Sequence, residues 1–256
     1  MLRVKVLGCY GGELPNFKST SFLINDHILL DAGAVTSVLS LKEQMKIDTI
    51  IITHSHFDHI KDIFFLADNI VSRNSRSVKL VTNNNNIKII KRHLLNNVIW
   101  PDFSIIPSKK SPVYKLVAIN EGTRLNLVGN ISIIPISVSH TVDTMGYLVS
   151  DGQSSIIFSS DTGPTHKLWQ RANSTKNLKA IFIETSYPNS MKKFAEISRH
   201  FTPSMLIKEL GKLKKSELDI FVYHMKPLYL KKIISEFKKE GRKNIRILKQ
   251  EMILRF

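Results

Sequence analysis

The sequence predicts an α/β protein, and three observations carry that reading. Short β-branched runs such as Ile50-Ile51-Ile52 have the length and composition of buried strands. They alternate with stretches of helical spacing. Five of the apolar runs are followed closely by a histidine or an acidic residue, which gathers polar side chains at one edge of the sheets. Turns held by rigid strands are where α/β proteins place their chemistry.

Leu2 to Leu7 reads as the first strand, followed by the permissive loop Gly8-Cys9-Tyr10-Gly11-Gly12. Gly11-Gly12 is a weak phosphate-cradle signal, because no helix clearly opens after it. Ser21 to Ile24 and His27 to Leu30 form a hairpin around Asn25-Asp26. Asp31 ends that hairpin. Its carboxylate either orients a metal-bound imidazole from behind or simply forms the turn. Val35 to Lys46 has helical spacing, with Val35, Val38, Leu39 and Met45 toward the core. Ile60 to Ala67 reads as a short apolar helix, Leu80 to Thr82 as a strand and Ile87 to Leu95 as a helix. Asn83 to Asn86 is a turn or a helix start. Trp100 to Tyr114 holds three prolines and reads as an irregular connection, with Trp100 and Phe103 covering the core.

From Leu116 the pattern is β-rich. Ile131 to Val138 leads to His140, Ser155 to Phe158 to Asp161, Ala180 to Ile183 to Glu184, and Ile220 to Tyr223 to His224. Met145 to Val149 pairs as the intervening strand. Thr202-Pro203 supplies a capping hydroxyl and a first-turn proline for a helix reaching about Leu213. Pro227 opens another that ends near Gly241, and Ile245 to Leu248 reads as the last strand. Neither an internal repeat nor an interdomain linker is visible, so residues 1–256 are expected to form one domain.

A chain of 256 residues can bury a substantial core without staples. Apolar content of 43% and charged content of 23% are those of a globular protein in water. The single Cys9 forbids an internal disulfide and fits a reducing cytoplasm. Arg3 and Lys5 interrupt the first apolar run, unlike a signal peptide, and no stretch reaches membrane-spanning length. The net charge is +16, and Met191 to Phe256 carry 17 Lys/Arg against 7 Asp/Glu. Such a surface attracts small anionic substrates or nucleic acid, or is a solvated helix face.

Thr53-His54-Ser55-His56-Phe57-Asp58-His59 concentrates the chemistry. Three of the nine histidines fall within six positions, with Asp58 among them. Imidazole nitrogen and carboxylate oxygen suit zinc, iron or manganese. Alternating His-x-His lets two rings face one ion, while Asp58 and His59 could face a second. A polar loop of unrelated histidines is the alternative, and the density of the cluster argues against it. His27, His93 and His166 lack such neighbours and read as structural or surface residues.

With these residues assembled, the pattern resembles the metallo-β-lactamase superfamily over nearly the whole chain. His54, His56, Asp58 and His59 match its central motif, and His140, Asp161 and His224 its later ligands. The resemblance implies an αββα sandwich of two mixed sheets flanked by helices, with two divalent metal ions at one edge. It implies that His54, His56 and His140 hold one metal, that Asp58, His59 and His224 hold the other, and that Asp161 bridges them. Within the superfamily the chain is most similar to class II cyclic-nucleotide phosphodiesterases. The strings Ser159-Ser160-Asp161-Thr162-Gly163-Pro164, Ile183 to Asn189 and Arg199-His200-Phe201-Thr202-Pro203 carry that likeness, together with Gly11-Gly12 and Leu30 to Gly33. Phe57 stands where leucine is usual, and Asp62 where a small or hydroxyl residue is usual.

The implied activity is hydrolysis of cAMP or cGMP to 5′-monophosphates by a hydroxide held between two metals, with zinc the default and Mn2+ or Fe2+ open. Asp58 is read as both ligand and catalytic group. His200 is the candidate acid for the leaving alkoxide and Glu184 its orienting carboxylate, a pair that ribonuclease Z enzymes also use. Thr141, Asp143, Tyr187 and Asn189 are candidate substrate contacts, which spacing leaves open. The main alternative is a ribonuclease Z-like RNA phosphodiesterase, favoured by the basic C-terminal third. Against it, only about twenty residues separate His140 from Asp161, too few for a long RNA-grasping arm. Another ester hydrolase of the same fold, and a non-catalytic binding module, are the remaining alternatives; a homodimer is compatible with the superfamily.

Overall fold

The long apolar runs are buried on both faces, which makes them the middle of a layered structure rather than a sheet with one wet side. The computed structural model describes residues 1–72, 76–215 and 217–256. Strands β1 (Arg3–Gly8), β2 (Ser21–Ile24), β3 (Ile28–Leu30), β4 (Thr49–Ile51), β5 (Val78–Thr82) and β6 (Tyr114–Ala118) belong to one sheet. Strands β7 (Leu125–Asn126), β8 (Ser132–Ser137), β9 (Met145–Ser150), β10 (Ser155–Phe158), β11 (Leu178–Glu184), β12 (Asp219–Tyr223) and β13 (Ile245–Ile247) form a second. The last strand, β14 (Ile253–Arg255), returns to the first. The orders are β14-β1-β2-β3-β4-β5-β6 and β13-β12-β11-β10-β9-β8-β7. Strands β3 to β6 run parallel, as do β10 to β13, and the other pairings are antiparallel.

Period-2 alternation sorts each strand between layers. In β12, Phe221 and Tyr223 join the core between the sheets, while Ile220 and Val222 face the outer helices. In β11, Ala180 and Phe182 point inward and Ile181 and Ile183 outward. A file of rings binds the sheets: Phe22 lies 5.0 Å from Phe158, Phe158 4.4 Å from Phe182, and Phe182 5.0 Å from Phe221. Truncating a ring at the centre of that file costs on the order of 3–5 kcal/mol.

Helices α1 (Leu41–Gln44), α2 (Phe57–Ile60), α3 (Ile63–Ile70) and α4 (Asn84–His93) lie with the first sheet. Ile63, Leu66, Ile70 and Ile90 pack there with Leu29, Ile50 and Leu80. Helices α5 (Lys167–Ser174), α6 (Lys192–Ser198), α7 (Pro203–Leu210) and α8 (Leu230–Glu240) cover the second sheet. Trp169, Leu206 and Ile233 pack there with Ile181 and Val222. This is the expected αββα sandwich. Among the described residues, no helix is long and apolar enough to cross a membrane.

Some elements differ from expectation for identifiable reasons. The helix read over Val35 to Lys46 shrinks to α1. The Asp62 carboxylate accepts the backbone N–H groups of Val35 and Thr36 at 2.6 and 2.8 Å, holding that segment as a loop. Helix α1 then starts at a capping box between Ser40 and Glu43. The same Asp62 separates α2 from α3, so Ile60 to Ala67 is two pieces. Phe103 is buried, and the Trp100 ring lies 5.9 Å from that of Phe64, in line with a covering role. Helices α5 and α6 and strand β14 lack a counterpart in the sequence reading.

Candidate metal centre

Parallel strands send their carboxyl ends the same way, and this gathers the site. Asp31 follows β3, and Thr53 to His59 follow β4. Asp161, Glu184 and His224 lie at the ends of β10, β11 and β12. Strand β8 is antiparallel to β9 and therefore codirectional with β10, so His140 emerges at the same edge.

Ligand atoms of His54, His56, His140 and Asp161 all lie within 4.8 Å of one another, as do those of Asp58, His59 and His224. A third set, Asp161, His200 and His224, meets the same limit. Asp161 Oδ2 stands among them, 3.1 Å from His224 Nε2, 3.4 Å from His59 Nε2, 3.7 Å from His54 Nε2 and 4.0 Å from His140 Nε2. Asp58 Oδ2 is 3.8 Å from His224 Nε2 and 3.9 Å from His59 Nε2. All seven expected ligands are thus together.

The donor set fits divalent cations. Nε2 of His54, His59 and His224 and Oδ1 of Asp161 are buried without a hydrogen-bond partner among the described residues. A folded protein rarely leaves four such atoms in one place unless something binds them. Burial holds His54, His56 and His140 below the ordinary imidazole range, His140 at about 4, which favours the neutral ligating form. At His59, burial is outweighed by the charges of Asp161, Asp31 and Asp58, which raise it well above its ordinary value. These three carboxylates therefore favour positive charge at His59.

The opposite ring nitrogens are fixed from behind. Asp31 Oδ2 meets His59 Nδ1 at 2.7 Å and also accepts the Thr53 hydroxyl at 2.9 Å, while Oδ1 accepts the Thr53 N–H at 2.9 Å. Asp31 also has φ 56, so it orients an imidazole and forms the turn at once. Thr20 Oγ1 meets His224 Nδ1 at 2.8 Å, and the Arg199 carbonyl meets His140 Nδ1 at 3.2 Å. Beside the cluster, Glu184 Oε1 meets His200 Nδ1 at 3.1 Å and accepts the N–H groups of Phe201 and Thr162 at 3.0 and 3.3 Å. Ser186 Oγ bridges Glu184 Oε2 at 2.9 Å and His200 Nδ1 at 3.2 Å. The His200 ring lies 5.0 Å from His140 and stacks 5.7 Å from His224. Burial lowers its pKa, but the charge and hydrogen bond of Glu184 outweigh that and raise it above the usual value.

A family model described as a beta-lactamase superfamily domain matches residues 27–222. The chain belongs to the beta-lactamase superfamily. Its two-sheet sandwich is the metallo-β-lactamase fold. The 3′,5′-cyclic-nucleotide phosphodiesterase 1 of Saccharomyces cerevisiae is 25% identical over 207 residues, or 68% of this chain and 55% of the relative. The 3′,5′-cyclic-nucleotide phosphodiesterase of Schizosaccharomyces pombe is 24% identical over 204 residues, or 72% of this chain and 56% of the relative. The chain thus spans little more than half the length of these relatives in sequence. The crystal structure of unliganded yeast PDE1 superposes with a TM-score of 0.83 at 20% identity, covering 98% of each chain.

In this member of the superfamily, Gly11 packs against the turn at His224, and its N–H donates to the Met225 carbonyl at 3.2 Å. A Cβ there would overlap the His224 carbonyl and lie 2.7 Å from its Cδ2, so the glycine makes room for the ligand ring. Sequence reasoning missed Thr20, Ser186 and the backbone of Arg199. A serine or threonine carries no local mark of pairing with a histidine far along the chain. Of the candidate substrate contacts, Thr141 and Asp143 line a cleft beside His140, and Tyr187 lines one beside His200.

Proposed function

We propose that the protein is a metal-dependent phosphodiesterase that hydrolyses 3′,5′-cyclic nucleotides, cAMP and cGMP, to 5′-monophosphates on a single domain of residues 1–256. The observation that carries this reading is the Glu184–Ser186–His200 hydrogen-bonded group set against the ligand cluster. The names of the yeast relatives support the substrate class. His54, His56 and His140 would hold one divalent ion, Asp58, His59 and His224 a second, and Asp161 would serve both. Zinc suits this donor set, and Mn2+ or Fe2+ also fit. Bound there, such ions supply a water-derived nucleophile at neutral pH and neutralise phosphate charge.

The chain's own residues do the rest. Cleaving the bond from phosphorus to O3′ leaves an alkoxide that needs a proton. Glu184 fixes the His200 ring through Nδ1, favours its charged form and leaves Nε2 to donate. Asp58 is the more accessible site carboxylate, with its side chain 27% exposed against 2% for Asp161. We assign it to orienting the attacking water. The net charge of +16 draws an anionic substrate inward.

The test is a substrate panel on metal-analysed protein: cAMP, cGMP, bis(p-nitrophenyl) phosphate and a 3′-extended transfer RNA precursor. Turnover of a cyclic nucleotide to its 5′-monophosphate is expected. Processing of the RNA with neither cyclic nucleotide touched would replace this reading by the ribonuclease Z-like one. Against that alternative, the chain between His140 and Asp161 is the β9–β10 hairpin and its flanking turns, which supplies no RNA-grasping arm.

A further inference from the structure

Beside His200 the surface opens into a cleft of about 400 Å³, within the ~300–1,000 Å³ range of small-molecule sites. Its walls are mainly apolar. The Tyr187 ring stands 5.1 Å from Phe194 at 81° and 6.3 Å from Tyr229 at 50°, and Leu14 and Leu228 complete the rim. Phe194 is 49% exposed and Leu228 80%. A contiguous apolar patch left open beside a polar site marks something that binds there.

Two features connect this cleft to the metal centre. The Tyr187 ring, one wall of the cleft, lies 5.8 Å from that of His200, so the cleft adjoins the candidate acid through Tyr187. Lys226, on the rim, follows His224 by two residues, and its backbone N–H donates to the carbonyl of Ser186 at 3.2 Å, beside the Glu184–His200 pair. The cleft thus offers a cation next to the metal centre and aromatic faces farther out. In a 3′,5′-cyclic phosphate, the leaving oxygen and the base hang from the same ribose. With O3′ presented to His200, a base directed past that ring meets Tyr187. The larger cleft beside His140, about 630 Å³, is lined by Asn84, Asn85 and Asp143 and contains no Phe, Tyr or Trp.

We infer that Tyr187, Phe194 and Tyr229 form a nucleobase subsite, with Lys226 beside the phosphate; the inference rests on the phosphodiesterase reading. Base-on-aromatic stacking tolerates different bases, so the subsite accepts both purines and discriminates chiefly against substrates with no base.

The test is calorimetric binding of adenosine 5′-monophosphate and of ribose 5-phosphate to the 256-residue, metal-loaded protein. The nucleotide is expected to bind at least tenfold more tightly. Phe194→Ala and Tyr229→Ala are each expected to reduce that preference by about 5- to 150-fold at most, the range one lost stacking contact commands. Phe194 is a surface residue, so its variant keeps the fold. Equal affinity for the two ligands, or a preference untouched in both variants, overturns the subsite. A dimer that Leu228→Asp splits, with which the nucleotide does not compete, would assign the cleft to a second copy and also overturn it. Base preference in binding without cyclic-nucleotide turnover would support the subsite and refute the phosphodiesterase reading; turnover without base preference would do the reverse.

Discussion

Asp31→Asn removes a charge from behind the ligand cluster while keeping its shape. The native carboxylate serves His59 Nδ1 at 2.7 Å, the Thr53 hydroxyl at 2.9 Å and the Thr53 N–H at 2.9 Å. It is 1% exposed, so water cannot replace a lost partner. An asparagine amide is acceptor on one side and donor on the other. With its nitrogen toward His59, two donors oppose each other there; flipped, the clash moves to the Thr53 N–H. Either way one charge-assisted bond is lost, about 1.5–3 kcal/mol. If that loss falls on the ligating state of His59, metal affinity drops by about 10- to 100-fold, the usual cost of removing a residue that orients a ligand. Chelator competition with metal analysis reads the change, and the ion proposed for Asp58, His59 and His224 should weaken most. Wild-type affinity at both ions in a folded Asp31→Asn protein would refute the claim that this carboxylate sets the ring.

His200→Ala should keep its metals but lose about 10²- to 10⁴-fold in kcat on cyclic nucleotides, with a smaller loss on p-nitrophenyl esters, which need no acid. Equal losses on both esters would remove the acid role. The rate on poor leaving groups should fall as pH rises through the His200 pKa, which Glu184 holds above the ordinary imidazole value. Glu184→Gln removes the raising charge, so that descending limb should move to lower pH; an unmoved limb in a metal-loaded variant counts against the pairing. Gly11→Ala puts a methyl against the His224 backbone and ring, an overpacking cost of about 1–3 kcal/mol, and should lower both thermal midpoint and metal content.

The seven candidate ligands were legible because each follows a β-branched run, and codirectional strands bring such ends together. The central motif needed no long-range information. Glu184 and His200 were readable from the strings around them. Thr20 was not, because its bond to His224 spans nearly the whole chain. The helix over Val35 to Lys46 was misjudged although Val35 and Leu39 are indeed buried. Apolar spacing records what faces the core, but Asp62 decides how the backbone there is satisfied. Strand β14 is three half-exposed residues whose pairing with β1 alone makes it a strand.

The backbone at the site carries strain that apolar spacing does not record. Asp31, Ser160, Arg199 and His224 have φ of 56, 58, 53 and 62, in the left-handed region that favours glycine. Each such residue costs on the order of 1–3 kcal/mol and persists only where its surroundings over-determine it. At His224 they do: its N–H donates to the Cys9 carbonyl at 2.7 Å, its ring meets Thr20, and Gly11 yields the space. Glycine would relieve the strain but bring no imidazole. The chain must reverse direction and present a ring nitrogen or carboxylate at the same residue, so turn preference and site chemistry conflict there. The strain at Asp31 and His224 is tolerated because the surrounding sheets hold both requirements at once.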